Sequence, residues 1–333
     1  MRCRLVVLAM TLLSLVAWSA SSFAHAPVPS EGSYFDAKRK ELLDRYMKLQ
    51  AAIEPAVWPD RSASDALWRG LHRGKDGTVQ PNRFASDGPL QATVFFEKNP
   101  EALRVIGEAR STIFEPLVRD LCAGLRHRNK AIVERGLWIP KEDALHVIVR
   151  VFSEHPSLLD GDAARKWKPI SPMESERLGE VIEAALRAGV QGSSTTALIL
   201  RLWGYTLTPD GSMLLLFEEG DGGTSLLALR DKLGRAGESV LGELNSRPKA
   251  LIHLTAARLL EFPEASDLNE AESKHIRDTV TRWRALLRAS GQARGAALPN
   301  IGRTIRVDEL ELVRDVHWFM TQRQVLRTFR LDR

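Results

Sequence analysis

Two short apolar runs stand out in the pattern of the chain, and each contains a histidine. Residues 144–152 read Ala-Leu-His-Val-Ile-Val-Arg-Val-Phe, and residues 249–260 read Lys-Ala-Leu-Ile-His-Leu-Thr-Ala-Ala-Arg-Leu-Leu. Both are rich in branched side chains and have the length of buried strands. Strict alternation puts His146, Ile148, Arg150 and Phe152 on one face of the first strand, and His253 and Thr255 on one face of the second. Arg258 then falls on the face opposite His253, where a structural role is expected.

Around these runs the pattern alternates between helix and strand. Leu42, Leu43, Tyr46, Leu49 and Ile53 predict a helix over 34–54, and residues 55–90 read as an irregular loop holding Trp58 and Trp68. A short strand is expected at 91–96. Leu103, Ile106, Ile113, Leu117, Leu121 and Leu125 predict a helical segment over 100–127, which Pro116 kinks or divides. Residues 154–168 form a polar loop. Ser171-Pro172-Met173-Glu174 is a capping box with proline at the first helical position, opening a helix that stops at Gly189. Strands at 197–207 and 212–218 flank the turn sequence Thr208-Pro209-Asp210-Gly211, so they pair as a hairpin. A helix follows over 226–244. Asn269, with Glu272 three residues on, caps another whose stripe is Ile276, Val280, Trp283 and Leu287. Two last strands are expected at 304–316 and 323–331. Hairpins without a regular strand–helix–strand rhythm predict an α+β fold of mostly antiparallel sheet with helices outside.

Composition narrows the class. The chain has 333 residues, is 44% apolar and 27% charged, and carries a formal charge of +5; these are ordinary globular values. Its start differs from the rest. Arg2 and Arg4 precede an apolar run, and Ala24-His25-Ala26 is a small-x-small cleavage pattern, so residues 1–26 read as a secretory signal peptide. The apolar run is shorter than a spanning helix needs, so no stable membrane insertion is expected after cleavage. Removing residues 1–26 takes away Arg2 and Arg4 and no acid, which lowers the charge to +3. That is too diffuse for duplex DNA, yet it would not repel an anion. Of the two cysteines, Cys3 lies in the leader, so Cys122 is left as a buried thiol within a helical pattern.

The chemistry is narrowed mainly by exclusion. The signatures of phosphate-binding loops, dinucleotide folds, zinc proteases and serine hydrolases are absent, as is any local histidine cluster. What remains is the two histidine strands, with the histidines 107 residues apart. They resemble the two-histidine phosphoesterase superfamily, which includes 2′-5′ RNA ligase-like proteins and plant cyclic nucleotide phosphodiesterases. The family mark is two copies of histidine, apolar, Thr or Ser, apolar. His253-Leu254-Thr255-Ala256 carries it in full. His146-Val147-Ile148-Val149 keeps the histidine and the apolar positions but has Ile148 where a hydroxyl belongs. His155-Pro156-Ser157 also fits the bare pattern, by chance. The resemblance spans roughly residues 90–331 and leaves residues 27–90 as an N-terminal extension.

This resemblance implies two pseudo-symmetric lobes within residues 91–333, with a cleft between them. It implies hydrolysis of a 2′,3′-cyclic phosphate or a related RNA or nucleotide phosphodiester, with no metal and no cofactor. His146 and His253 would be the acid/base pair, and Thr255 would hold the phosphate. Arg150 is a second phosphate-binding candidate, set against an exposed position at the strand end. Ile148 cannot donate a hydrogen bond, so a non-catalytic nucleotide-binding module of the same fold is an alternative. A secreted domain whose histidines are core residues is another. Trp203 and Tyr205 could stack a base, although aromatic residues in strands are commonly core.

Overall fold

The computed structural model describes residues 31–52, 58–59, 70–75, 78–84, 87–159, 167–188, 196–242, 249, 251–292 and 298–331. Residues 1–26, expected as a leader, and Gly189, expected as a helix stop, lie outside them. The chain divides into two compact units, Met1–Ala37 and Lys38–Arg333. The described part of the first is the start of α1 (Glu31–Ala51). The second holds the sheets.

The α+β expectation is met. One antiparallel sheet has the order β11 (Arg323–Arg330), β10 (Glu309–Asp315), β3 (Leu90–Phe95), β5 (His146–Ser153). The other has the order β4 (Leu137–Trp138), β8 (His253–Leu259), β7 (Ser212–Glu219), β6 (Leu198–Leu207), β9 (Thr304–Val307). Each sheet holds one of the two histidine strands. A small hairpin, β1 (Leu71–Arg73) with β2 (Val79–Pro81), lies within the stretch expected as loop.

Each sheet buries one face under helices. On the first sheet, α5 (Pro172–Arg187) approaches Leu312 and Arg327 through Gly179. Also on this sheet, α6 (Leu226–Leu241) meets β5 at Gly234. The capping box of α5 forms as expected: the Ser171 hydroxyl accepts from Glu174 N at 3.2 Å, and the Glu174 carboxylate accepts from Ser171 N at 2.8 Å. Such a cap contributes about 1 kcal/mol. On the second sheet, α2 (Pro100–Ala109) continues through a π-helical turn (Arg110–Phe114) into α3 (Glu115–Ala123). Phe114 of that turn packs edge-on to Tyr205. After α3 the chain breaks and forms α4 (His127–Gly136), a helix beyond the segment that the apolar spacing predicted. The stripe of α7 (Glu270–Gln292) is buried as expected, with Ile276, Val280, Trp283 and Leu287 all in the core.

The strand expected over 304–316 is corrected to two. Val307 of β9 pairs with Leu198 in the second sheet, whereas Glu309 of β10 pairs with Arg330 in the first. Asp308 is therefore where the chain crosses between sheets. A continuous apolar pattern does not show such a crossing, because both pieces are strands of the same periodicity.

Candidate active site

Two β-bulges decide which side chains reach the faces left open by the helices. In β5, Ile148 pairs with Thr93 and Arg150 with Ala92, so Val149 is an extra residue. Directly paired residues share a face, and Thr93 and Ala92 face opposite ways. His146 and Ile148 thus lie on the open face together with Phe95 and Thr93. The expected face of Arg150 is corrected: the bulge turns it to the helix side, where a Cβ at Gly234 would meet its guanidinium carbon at 3.3 Å. In β8, Thr255 pairs with Leu214 and Ala257 with Met213, so Ala256 is the extra residue. Arg258 then pairs with Ser212 on the same face as His253 and Thr255. The expectation that Arg258 faces away is corrected for the same physical reason.

Both bulges are supported by arginines. Arg110, in the π-helical turn, donates through Nε to the Ala256 carbonyl at 3.0 Å and through Nη2 to the Pro140 carbonyl at 2.9 Å. Arg230 of α6 donates through Nε to the Val149 carbonyl at 2.9 Å. A bulge disrupts the ladder locally, and these guanidinium groups satisfy carbonyls at each one.

His146 lies close enough to His253 for its charge to bear on that ring. Each begins its strand at a half-buried position. The protein around them is nevertheless dense, and loss of water is the main reason both titrate low. His146 is pushed down to about 4 by burial, opposed by its hydrogen bond to Ala144 and reinforced by the positive charges of Arg258, Arg323 and Lys249. His253 is pushed down to about 3 by burial and then by the charges of His146, Arg258, Lys249 and Arg230. Both rings are neutral at pH 7. His146 Nδ1 lies 2.7 Å from the Ala144 carbonyl. A carbonyl only accepts, so Nδ1 carries the hydrogen and Nε2 keeps the lone pair. His253 Nδ1 is buried with no partner among the described residues.

The open faces also gather cations and aromatic rings. Arg258 Nη1 donates to the Ser212 hydroxyl at 2.6 Å, and Nη2 lies 3.5 Å from Thr255 Oγ1. Its guanidinium carbon sits 4.8 Å from the ring centre of Phe319, which in turn meets Trp138 at 5.6 Å. Phe319 and the next residue, Met320, have φ of 60° and 56°. That is the left-handed region, uncommon for bulky side chains and a form of strain that tends to persist at functional sites. Arg323 lies 3.6 Å from the Phe95 ring centre and pairs with Glu97 at 3.0 Å. The Phe95 ring is 5.8 Å from that of His146.

The structure therefore brings His146, His253 and Thr255 together, adds Arg258, and sets Arg150 apart. Besides His253 Nδ1, Arg258 Nε and Thr93 Oγ1 are buried with no partner among the described residues, the latter directly across from Ile148. Thr93 carried no sequence signal, since its relation to Ile148 depends on the pairing of distant strands. Trp203 and Tyr205 lie elsewhere: Tyr205 is fully buried with its hydroxyl on the Pro299 carbonyl, and Trp203 packs on Tyr46. Among the described residues, no group of His, Cys, Asp and Glu side chains is arranged to hold a metal ion. No helix of the described residues is long and apolar enough to cross a membrane. A cavity of 530 Å³ lies between α5 and the β10–β11 pair, beside Ser175, Arg314 and Arg327, and none of the candidate residues lines it.

No protein-family model matches the chain. No curated protein sequence matches it either. Among solved structures, the chain is similar to crystal structures of E. coli LigT. The apo form is 14% identical, with a TM-score of 0.40, and the match covers 75% of this chain and all of that one. The complex with ATP is 13% identical with a TM-score of 0.38, and the complex with 3′-AMP is 12% identical with a TM-score of 0.39. Each of these covers 74% of this chain and 100% of the other.

Proposed function

We propose that this protein is a metal-independent phosphodiesterase that opens a 2′,3′-cyclic phosphate at a nucleotide or RNA end. The observation that carries this reading is the approach of two neutral strand-borne imidazoles, His146 near enough for its charge to bear on His253, with Thr255 and Arg258 on the face of His253. In this reading His146 Nε2, held as acceptor by the Ala144 contact, takes a proton from water as the water oxygen bonds to phosphorus. His253 gives a proton to the ribose oxygen as its bond to phosphorus breaks. Two positioned imidazoles suit such a proton exchange near neutral pH. Thr255 and Arg258 donate to the phosphate oxygens as negative charge builds on them. The anion also offsets the surrounding positive charges, which favours protonated His253. The signal peptide expected at residues 1–26 would direct this activity to the secretory route, on single nucleotides or RNA ends rather than duplex DNA.

A second reading rests on Ile148 and on the depressed titration of His253. Both weaken turnover more than binding, so a nucleotide-binding module is its natural form. Hydrolysis of 2′,3′-cyclic AMP by residues 27–333, with EDTA present, separates the two. Turnover should fall ~10²–10⁴-fold in His146→Ala and in His253→Ala, the usual range for a positioned acid or base. Binding of the cyclic nucleotide without turnover would establish the module instead. Neither turnover nor binding would remove nucleotide chemistry from this fold.

A further inference from the structure

Arg230 stands out among the buried charged groups. It projects from α6 and is only 6% exposed. Its guanidinium donates to four backbone carbonyls. Nε reaches Val149 at 2.9 Å and Nη2 reaches Ile148 at 2.9 Å. Nη1 reaches Lys249 at 3.0 Å, and Nη2 also reaches Leu251 at 2.9 Å. Two of these carbonyls follow His146 by two and three residues, and two precede His253 by four and two. β5 is an edge strand of its sheet, and Lys249 and Leu251 precede the first residue of β8 in the other. The carbonyls on both sides would otherwise lack ladder partners. One planar fork therefore replaces the hydrogen bonds that a strand–strand pairing would have supplied. Burial lowers the Arg230 pKa to about 10, so the group stays charged at neutral pH.

A neighbouring contact anchors the same point from the other side. The Tyr46 hydroxyl lies 2.6 Å from the Phe217 carbonyl and 2.9 Å from the Ile252 carbonyl, and it accepts from Ile252 N at 3.0 Å. Ile252 immediately precedes His253. Tyr46 thus fixes the start of β8 within its own sheet, whereas Arg230 spans from that start to the strand of His146; the Lys249–Glu154 ion pair, at 3.3 Å, joins the same segment to the residue just past the end of that strand.

We propose that Arg230 is a positioning residue that sets the separation of the two imidazoles, by tying the strand after His146 to the segment before His253. This rests on the two-histidine reading of the site for its catalytic consequence, though not for its geometry. Removing the fork lets the two sheets shift while each keeps its own ladder. A displacement of about 1 Å at a proton-transfer site can cost roughly 100-fold in rate.

The test is Arg230→Lys, which keeps the charge but offers one ammonium in place of a planar fork. Histidine pKa values are followed by NMR in the full chain, with and without His146→Ala. In the otherwise unaltered protein, His146→Ala should raise the His253 pKa by about half a unit or more, because a neighbouring positive charge is removed. In the lysine variant that rise should fall by at least half. In parallel, kcat for 2′,3′-cyclic AMP should fall ~30-fold or more with KM within ~3-fold, the pattern of lost transition-state geometry. Arg230→Gln gives the same kinetic readout if the lysine variant does not fold. Unchanged imidazole coupling in a folded variant overturns the proposal, as does an unchanged kcat in a folded, active one. Failure of both variants to fold also overturns it, since Arg230 would then be required for the fold rather than for the spacing. If the unaltered protein shows no turnover but the coupling falls as expected, the positioning role stands and the phosphodiesterase reading fails.

Discussion

Strands β5 and β8 each start at a histidine, place a second side chain two residues on along the same open face, and take up an extra residue just after it. From there they diverge. In β5 the arginine comes directly after the extra residue and is turned to the helix side, against Gly234. In β8 it comes two residues after and is turned onto the open face beside Thr255. The second side chain differs as well, isoleucine in one strand and threonine in the other. The two strands are thus matched in their imidazoles and unmatched in the hydroxyl and guanidinium that follow them. A phosphate seated between the histidines would take its donors from β8, while β5 would supply the imidazole alone.

The sharpest way to break this contrast is to neutralise each arginine in turn. Arg258→Met should lower kcat/KM for 2′,3′-cyclic AMP by ~10²–10³, the usual loss when one oxyanion donor is removed. Arg150→Met should change it by less than about 3-fold, because a group on the helix side makes no contact that strengthens in the transition state. The opposite order would mean that the bulges do not set the two faces as described. A smaller effect is expected from Ile148→Thr, which makes β5 like β8 at this position. The added hydroxyl should raise kcat/KM by up to about 10-fold, a fraction of what a fully preorganised donor supplies. Losing part of a half-buried apolar side chain should cost about 1 kcal/mol in urea unfolding. No gain in rate would point to Thr93, directly across the ladder, as already serving that position through its unpaired hydroxyl.

The smallest effect concerns stability and pH. His146 and His253 titrate at about 4 and 3 when folded, against about 6.5 when unfolded. As pH falls below 6.5 the unfolded chain takes up protons that the folded one refuses, so stability is lost on acidification. Asp315, in the His146 sheet, has the opposite sign. Burial raises it to about 8, opposed by its hydrogen bond from Gln91. The folded chain keeps that proton where the unfolded chain has released it, so this contribution is lost as pH rises from about 4 towards 8. Two imidazoles outweigh one carboxyl below 6.5, and Asp315 acts alone above it. The urea midpoint should therefore peak near pH 6.5, and Asp315→Asn should flatten the alkaline side of the peak. A midpoint that rises steadily from pH 6.5 to 8 would contradict the assignment.

Much of the framework could be read from local pattern. The capping box at Ser171, the Thr208–Gly211 turn and the stripe of α7 are each specified within a few residues, and each forms as expected. Cys122 is buried as its helical surroundings suggested. The two histidines were legible for the same reason: an imidazole at the head of a branched apolar run is a local feature. The crossing at Asp308 and the π-helical turn at Arg110–Phe114 were not, since neither interrupts the apolar periodicity on either side.

Arg150 and Arg258 show where that kind of reading stops. Alternation along a single strand assigns the first to the face of His146 and the second away from His253, and both assignments are inverted. A bulge belongs to a pair of strands, not to one of them. It exists because Val149 and Ala256 have no opposite number on β3 and β7, and because Arg230 and Arg110, distant in the chain, satisfy the carbonyls there. Local periodicity is enough to place an imidazole at the start of each strand. Which arginine joins the imidazoles is settled only when the partner strands and the helices behind them are in place, because one unpaired residue reverses the face of the side chains that follow it up to the next bulge.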